Sequence, residues 1–287
     1  MQTHSFLARA ILASAGLLLA AETHAALNYS DGDLLLAFRA TGGTGANTNV
    51  VVNLGNASAF ANLAPGATFV LDTEFGNLKA DLDFYFGLSW QSRVDLLWSV
   101  SGVQKFAGNG FVGNTSFATN TQIGTVTLGL QNSAAWTRPA NSFESNPFTN
   151  KIKSFGDRFA LGDGDASPTG STESTNGSEI LIQPANGINS YTSFMPGGLN
   201  TTGATAFSRF GGATGIEGNF GSGTAGAVLD LYEAGNGSGN AAFEGTFSIA
   251  NNGTVTFTSA VPEPSSVAVL CAGTAVLGCL RRRKFNP

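Results

Sequence analysis

Residues 245–259 read GTFSIANNGTVTFTS, and this stretch decides the fold class. In both arms apolar residues alternate with Thr or Ser, as Phe247 does in the first arm and Phe257 in the second. This two-residue period is typical of a strand with one buried face. The Asn-Asn-Gly triplet at 251–253 supplies residues that readily adopt the positive φ of a tight turn. The stretch therefore predicts a β-hairpin.

Similar strand signals occur along the rest of the chain. Short apolar or β-branched runs are bounded by Gly, Pro, Asn, Asp or Ser, as strands usually are. These runs predict further strands at residues 33–40, 49–54, 67–71, 94–100, 123–130, 179–182 and 227–232. The expected fold is mainly β, an antiparallel β-sandwich or jelly-roll-like domain with one or two short helices.

Two segments are candidates for those helices. Residues 78–90 fit an amphipathic helix with Gly87 as its C-terminal cap, although they also fit a strand of alternating pattern. The helix that ends near Gly87 is the preferred interpretation, because Gly is the common residue just after a helix end. Residues 56–63 predict a second short helix, with Asn56 as its N-terminal cap.

Composition excludes several classes of protein. The chain has 287 residues with 38 Gly, 22 Phe and only 11% charged residues. The Phe content argues against simple disorder, and Gly lacks the three-residue period of collagen. A pI near 5.0 argues against a nucleic-acid partner. Residues 26–260 contain nine basic and seventeen acidic residues, so this region has a net charge of −8 and a soluble acidic surface.

Residues 26–260 are expected to form one β-rich extracellular domain. Within it, residues 135–226 contain dense clusters of Gly, Ser, Asn and Thr with isolated Phe residues. This pattern predicts long loops held by single aromatic side chains, with possible edge strands. Residues 160–178 are the best candidate for a flexible loop, because Gly, Ser, Thr and Asn dominate them.

Residues 1–25 have the organisation of a secretory signal peptide. Arg9 precedes an apolar stretch at 10–21, which is the length of a signal-peptide core and too short to span a bilayer. Small residues then precede an expected cleavage between Ala25 and Ala26. We expect this segment to direct the chain across the inner membrane through the Sec translocon.

The C-terminal residues 261–287 have three parts. A Pro-rich motif is followed by a short membrane helix predicted at 265–280, which includes an apolar run at 267–280. Basic residues at 281–284 would stop translocation and keep that end in the cytoplasm. The motif consists of Val261, Pro262, Glu263, Pro264, Ser265 and Ser266, and the basic cluster of Arg281, Arg282, Arg283 and Lys284.

This tail resembles the PEP-CTERM sorting signal of Gram-negative bacteria in the order of its motif, helix and basic end. The resemblance implies recognition and removal of the tail by exosortase, a membrane-embedded protease, with the helix only transiently in the inner membrane. It also implies a final location at the cell surface or outside the cell, in association with extracellular polysaccharide and biofilm. Residues 32–39, 52–60 and 86–98 are similar to a recurring ectodomain of such proteins, and this similarity adds no catalytic residue.

Residues 26–260 contain neither His nor Cys. His4 and His24 lie in the signal peptide, and Cys271 and Cys279 lie in the tail helix. A Ser-His-Asp or Cys-His nucleophile is therefore excluded from the domain, and so are imidazole or thiolate metal sites and disulfides. The preferred expectation is a non-enzymatic exported surface or matrix protein.

Carboxylate chemistry stays open as an alternative. A glycosidase needs two carboxyl groups about 5–10 Å apart, and three close pairs of Asp could supply them. The pairs are Asp31 with Asp33, Asp81 with Asp83, and Asp163 with Asp165. Calcium is the one cofactor considered, because Asp157, Asp163 and Asp165 lie in a Gly-rich stretch that offers oxygen ligands. That stretch lacks the full ligand pattern of an EF-hand loop.

A carbohydrate- or ice-binding module is the other alternative. Trp136 lies in a predicted loop and is the candidate for stacking on a glycan, whereas Trp90 and Trp98 lie among apolar residues and are expected in the core. The Thr residues at 254–258 alternate along one strand and could form a flat polar face, although this segment is short for a regular ice-binding array.

Overall fold

The computed structural model describes residues 27–71, 76–138, 142–160, 172–176, 179–187, 190–195, 215–221, 227–235 and 239–262. The predicted signal peptide and the tail beyond Pro262 lie outside the described residues. The same holds for most of the loop predicted at 160–178. Within the described ranges, no helix combines the length and the hydropathy needed to cross a membrane.

The described chain contains thirteen strands and four α-helices. The strands are β1 Asp33–Ala40, β2 Thr48–Asn56, β3 Thr68–Val70, β4 Leu96–Gln104, β5 Thr115–Thr121, β6 Thr137–Arg138, β7 Thr172–Glu173, β8 Ile180–Pro184, β9 Gly218–Asn219, β10 Val228–Ala234, β11 Gly239–Asn240, β12 Ala242–Ile249 and β13 Val255–Ser259. The helices are α1 Ser58–Ala61, α2 Leu78–Phe86, α3 Ser142–Ala160 and α4 Tyr191–Phe194. A 3₁₀ turn spans Trp90–Ser92.

Eleven strands form one sheet in the order β3-β13-β12-β10-β5-β4-β1-β2-β8-β7, with β9 paired to β4. Its strand pairs are antiparallel, which confirms the predicted mainly antiparallel β class. These strands do not form the two facing sheets of the predicted sandwich or jelly roll. They form one sheet because β5 pairs with β10, from Thr121–Leu229 to Ser116–Ala234, and this pairing joins the N-terminal and C-terminal strands edge to edge.

The sheet curls around its larger apolar core. Leu36 of β1 and Phe257 of β13 are five strands apart in the order, yet both belong to one buried cluster. Phe60 of α1 lies at the centre of this concave side, with its ring centroid 5.5 Å from Phe247 and 5.2 Å from Phe257. Burial of this apolar surface is the main favourable contribution to folding in a domain without disulfides.

A second buried cluster lies on the other face of the same strands. In β1, Leu34 and Leu36 point to the concave core, whereas Leu35 and Ala37 point to this second cluster. Helix α3 covers the second face with Ile152, Phe155 and Phe159, and α4 adds further aromatic side chains. Both faces of β1 are therefore buried, which explains its nearly continuous apolar sequence.

Most of the predicted strands are confirmed. The hairpin forms as expected, with Phe247 opposite Phe257 in the pairing of β12 and β13. The strand predicted at 123–130 is wrong: these residues form a loop in which Ile123, Leu128 and Leu130 are exposed. Strand β5 was not predicted, because its polar sequence TSFATNT is buried without the usual apolar alternation.

The helix predicted to end near Gly87 is confirmed as α2. Asn77 caps its start by accepting a hydrogen bond from the Ala80 amide at 3.2 Å, and Gly87 follows its end at a φ of 90°. The shorter helix is confirmed in part, since β2 continues through Asn56 and α1 begins at Ser58. The Asn56 side chain still accepts a hydrogen bond from the Ser58 amide at 3.1 Å.

The expectation of long loops throughout residues 135–226 is wrong for α3, a helix of 19 residues. Its buried residues Ile152, Phe155 and Phe159 recur at three- and four-residue spacing and form one apolar stripe. Lys153 and Asp157 form an ion pair at 2.6 Å one turn apart. Packing of the stripe on the sheet compensates for the low helix propensity of Asn, Ser, Thr and Gly.

We expect Phe257→Ala to lower the free energy of unfolding by about 3–5 kcal/mol, because it removes a buried ring from the concave core. Phe84→Ala is the matched control, since Phe84 is exposed on α2 and its loss should change stability by less than about 0.5 kcal/mol. Urea denaturation of both variants measures the difference. Equal effects would contradict the placement of Phe257.

Candidate functional site

The last described residues of the chain include the start of the Pro-rich motif. At the end of β13 the Ser259 amide donates to the Ala67 carbonyl at 2.9 Å, and the Ala260 amide to the Glu244 carbonyl at 2.9 Å. The Val261 amide then donates to the Gly129 carbonyl at 2.8 Å. Pro262 follows, is exposed, and has no amide hydrogen to donate. We call residues 259–262 the exit segment.

The exit segment rests on the loop of residues 122–133, which we call the exit loop. This loop is held by Asp230, a buried carboxylate of β10. Gln122 Nε2 donates to Asp230 at 2.6 Å, the Asn132 amide at 2.9 Å and Ser133 Oγ at 2.8 Å. Burial raises the pKa of Asp230, while these hydrogen bonds act in the opposite direction.

Gly129 allows the close contact between the exit loop and the exit segment. Its φ is +73°, and a Cβ atom there would lie 2.9 Å from the Ser259 carbonyl oxygen and 3.1 Å from Thr258. Its amide donates to Thr246 Oγ1 at 3.0 Å. A larger residue would therefore be strained and would collide with β13.

Burial limits what the Thr-rich strand can bind. Thr258 is buried, and its hydroxyl lies 3.4 Å from the hydroxyl of Thr68 on β3. Thr254 and Thr256 are half-buried. The described residues therefore do not present the flat exposed Thr face that motivated the ice-binding alternative.

Trp136, the predicted glycan contact, lies in the second core. Its side chain is 1% exposed and belongs to the buried cluster beneath α3, so its ring offers no free face to a sugar. Trp90 and Trp98 are also buried, which confirms their expected place in the core. The sequence predicts a loop at Trp136 because its neighbours are small and polar, and that pattern does not reveal its burial in the second core.

The aspartate pairs that could be catalytic are engaged in structural contacts. Asp81 is buried and accepts from Asn176 Nδ2 at 2.8 Å and from Ser174 Oγ at 2.7 Å. Asp83 accepts from Trp90 Nε1 at 3.0 Å and pairs with Lys79. These contacts join α2 to its neighbours and leave the two carboxylates facing different partners.

Asp31 and Asp33 hold turns rather than facing each other across a cleft. Asp31 accepts from the backbone amides of Lys105 and Phe106, both at 2.7 Å. Asp33 accepts from the Ser30 amide at 2.7 Å. The third pair, Asp163 and Asp165, lies outside the described residues.

The proposed calcium ligands are only partly within the described chain. Asp157 is exposed on α3 and pairs with Lys153, whereas Asp163 and Asp165 lie outside the described ranges. Among the residues that the structure describes, no group of three or more His, Cys, Asp or Glu side chains is arranged to hold a metal ion.

A buried ion pair on the second face was not predicted from the sequence. Arg39 of β1 contacts Glu217 through two hydrogen bonds, from Nε at 2.7 Å and from Nη2 at 2.5 Å. The Tyr191 hydroxyl donates to Glu217 at 2.9 Å and lies 2.7 Å from the Ser99 hydroxyl. The arrangement fastens α4 and Glu217 to the sheet. Its only sequence signal was Arg39, a charged residue within an apolar strand.

Two acidic residues on neighbouring strands form a second unpredicted feature. Glu244 of β12 lies at a β-bulge opposite the segment of β10 that contains Glu233. Burial and the nearby charge of Glu233 raise the pKa of Glu244 to about 7, and burial also raises the pKa of Glu233. Glu233 and Glu244 are eleven positions apart in sequence, and this spacing does not predict their proximity. The pairing of β10 with β12 brings them together.

No family model, curated protein or solved structure matches the chain.

The raised pKa of Glu244 predicts a pH-dependent stability. Between the ordinary value of 4.5 and about 7 the folded state holds more protons than the unfolded state, so stability falls as the pH rises through this interval. We expect Glu244→Gln to equal the wild type near pH 4.5 and to exceed it at pH 7.5 by about 1–3 kcal/mol.

Urea unfolding of both proteins across pH 4.5–7.5 measures this effect. Glu233→Gln serves as the companion variant, because removing the neighbouring charge should recover part of the same stability. A Glu244→Gln curve parallel to that of the wild type would contradict the assignment.

Proposed function

We propose that the protein is a non-enzymatic exported surface or matrix protein whose C-terminal segment is removed by an exosortase. In this account the signal peptide at 1–25 directs export and is cleaved between Ala25 and Ala26. The helix at 265–280 then holds the chain in the inner membrane until the tail is cut. The mature domain remains at the cell surface or outside the cell, in association with extracellular polysaccharide.

The observation that carries this proposal is the position of the exit segment. Among the described residues, the Val261 amide donates to the Gly129 carbonyl, and the Pro-rich motif begins at this same Val261. Pro262 and Pro264 favour extended backbone on either side of Glu263. A protease binds its substrate as an extended strand, so this order supports cleavage of the tail without unfolding of the domain.

The chemistry of residues 26–260 supports a non-enzymatic role. This region contains no His or Cys. The described carboxylates Asp31, Asp33, Asp81 and Asp83 accept hydrogen bonds from neighbouring structure, as expected of groups that stabilise a fold. These observations favour binding or a structural role over glycoside hydrolysis.

A carbohydrate-binding role is a second candidate, and it is favoured by one exposed aromatic ring that packs on a half-buried one. Phe84 on α2 is exposed, and its ring packs edge-to-face on Tyr85 with the centroids 4.8 Å apart. An exposed ring held by a neighbouring ring offers an apolar face to the C–H groups of a sugar. Loss of polysaccharide binding in Phe84→Ala would support this role.

Processing tests the main proposal. In a host that contains the exosortase, intact mass spectrometry of the secreted form should give a chain that begins at Ala26 and ends within residues 261–266. Without the exosortase, the chain should keep its tail and stay with the membrane. Pro262→Ala should reduce the processed fraction, whereas Pro65→Ala, in an exposed turn of the domain, should leave it unchanged.

Unchanged processing in the host that lacks the exosortase would overturn the proposal.

A further inference from the structure

Four exposed apolar side chains lie in the exit loop and the exit segment. The exit loop contributes Ile123, Leu128 and Leu130, which are 70%, 45% and 39% exposed, and Val261 of the exit segment is 41% exposed. We call these four residues the exit patch. Exposed apolar residues that cluster beside a functional feature usually mark an interaction surface.

The exit loop carries no charged side chain of its own. Residues 122–133 read QIGTVTLGLQNS and contain no charged side chain. The domain as a whole has a net charge of −8 between residues 26 and 260. The exit loop therefore adds no charge that would repel a bilayer with anionic lipids.

The loop that carries the patch is held rigidly. The Ile123 amide donates to the Asn132 carbonyl at 2.7 Å, and the Thr127 amide donates to Gln122 Oε1 at 3.1 Å. The hydrogen bonds to Asp230 fasten both ends of the same loop. The apolar side chains are thus presented outward by a preorganised scaffold, so little conformational entropy is lost when the patch binds a surface.

The length of the chain beyond the patch limits its distance from the membrane. Six residue steps separate Val261 from the apolar run that begins at Val267. Even fully extended, six residues span about 20 Å. When that run lies in the hydrocarbon, the patch is therefore within about 20 Å of it, a distance that includes a headgroup region several ångströms thick.

We propose that the exit patch lies on the outer surface of the inner membrane while the tail is present. The patch then inserts its apolar side chains at the boundary between headgroups and acyl chains, as interfacial protein segments do. This inference rests on the proposed membrane insertion of the tail. Its consequence is that the domain is oriented by two attachments, and that the motif at 261–266 is held at the membrane surface where an embedded protease acts.

After the tail is removed, the exit patch is the only remaining membrane attachment in this account. Four apolar side chains bind a bilayer reversibly, since stable attachment generally requires two signals. Cleavage therefore also releases the domain from the membrane surface.

Site-specific fluorescence quenching tests this contact in the full-length protein. The chain is reconstituted into vesicles of phosphatidylethanolamine and phosphatidylglycerol that contain lipids brominated near the headgroup end of their acyl chains. Leu128→Trp reports on the patch, and Leu130→Trp is a second reporter if the first disturbs the loop. Trp90, Trp98 and Trp136 are buried and supply a constant background.

Leu88→Trp is the matched control. Leu88 is 82% exposed and lies next to the turn at 250–254, because nearby Gln91 donates to the Asn251 carbonyl at 3.0 Å. That turn is at the opposite end of β13 from Val261. We expect brominated lipids to quench the added fluorescence of Leu128→Trp at least about threefold more than that of Leu88→Trp.

Flotation of the same vesicles separates the two possible failures. If the full chain does not float with the vesicles, the proposed tail insertion is wrong and the inference falls with it. If the chain floats but Leu128→Trp and Leu88→Trp are quenched equally, the patch contact alone is overturned. A third result would also overturn it: the fluorescence of Leu128→Trp changes only when exosortase is added. The partner of the patch would then be the protease.

Discussion

Phe60 packs against Phe247 and Phe257, and this contact closes the concave core. It joins a helix that follows the second strand to the last hairpin of the domain, and so links chain segments almost 200 residues apart. The domain has no Cys, so noncovalent burial must maintain the curl of the sheet. Because β13 is positioned by this core, the place where the chain leaves the fold depends on the same contact.

Polar groups buried in the structure fasten the parts that the apolar core does not reach. Asp230 holds the exit loop, and the ion pair of Arg39 with Glu217 holds α4 against the sheet. Such groups are costly when a partner is missing and effective when their hydrogen bonds are complete. The exit loop and exit segment therefore form a defined surface, although residues 122–133 and 260–262 lie outside regular secondary structure.

Local pattern predicted the antiparallel class, most strands and α2, because apolar alternation and Gly caps act over a few neighbouring residues. It failed at 123–130, where apolar residues are exposed, and at α3, where packing outweighs weak helix propensity. The burial of Trp136 and the approach of Glu233 to Glu244 depend on long-range pairing, which one sequence does not encode in its spacing. The Pro-rich motif was visible from the sequence, but the hydrogen bond from its first residue, Val261, to Gly129 required the structure.

The central claim is that β12 and β13 are held by partners within the described residues. Hydrogen-exchange mass spectrometry of the full chain and of a chain that ends after Pro262 tests this directly. The account predicts equal protection of the β12 and β13 amides in both forms, because their partners lie within the domain. Loss of that protection in the shortened chain would show that the tail is part of the fold, and it would contradict the account.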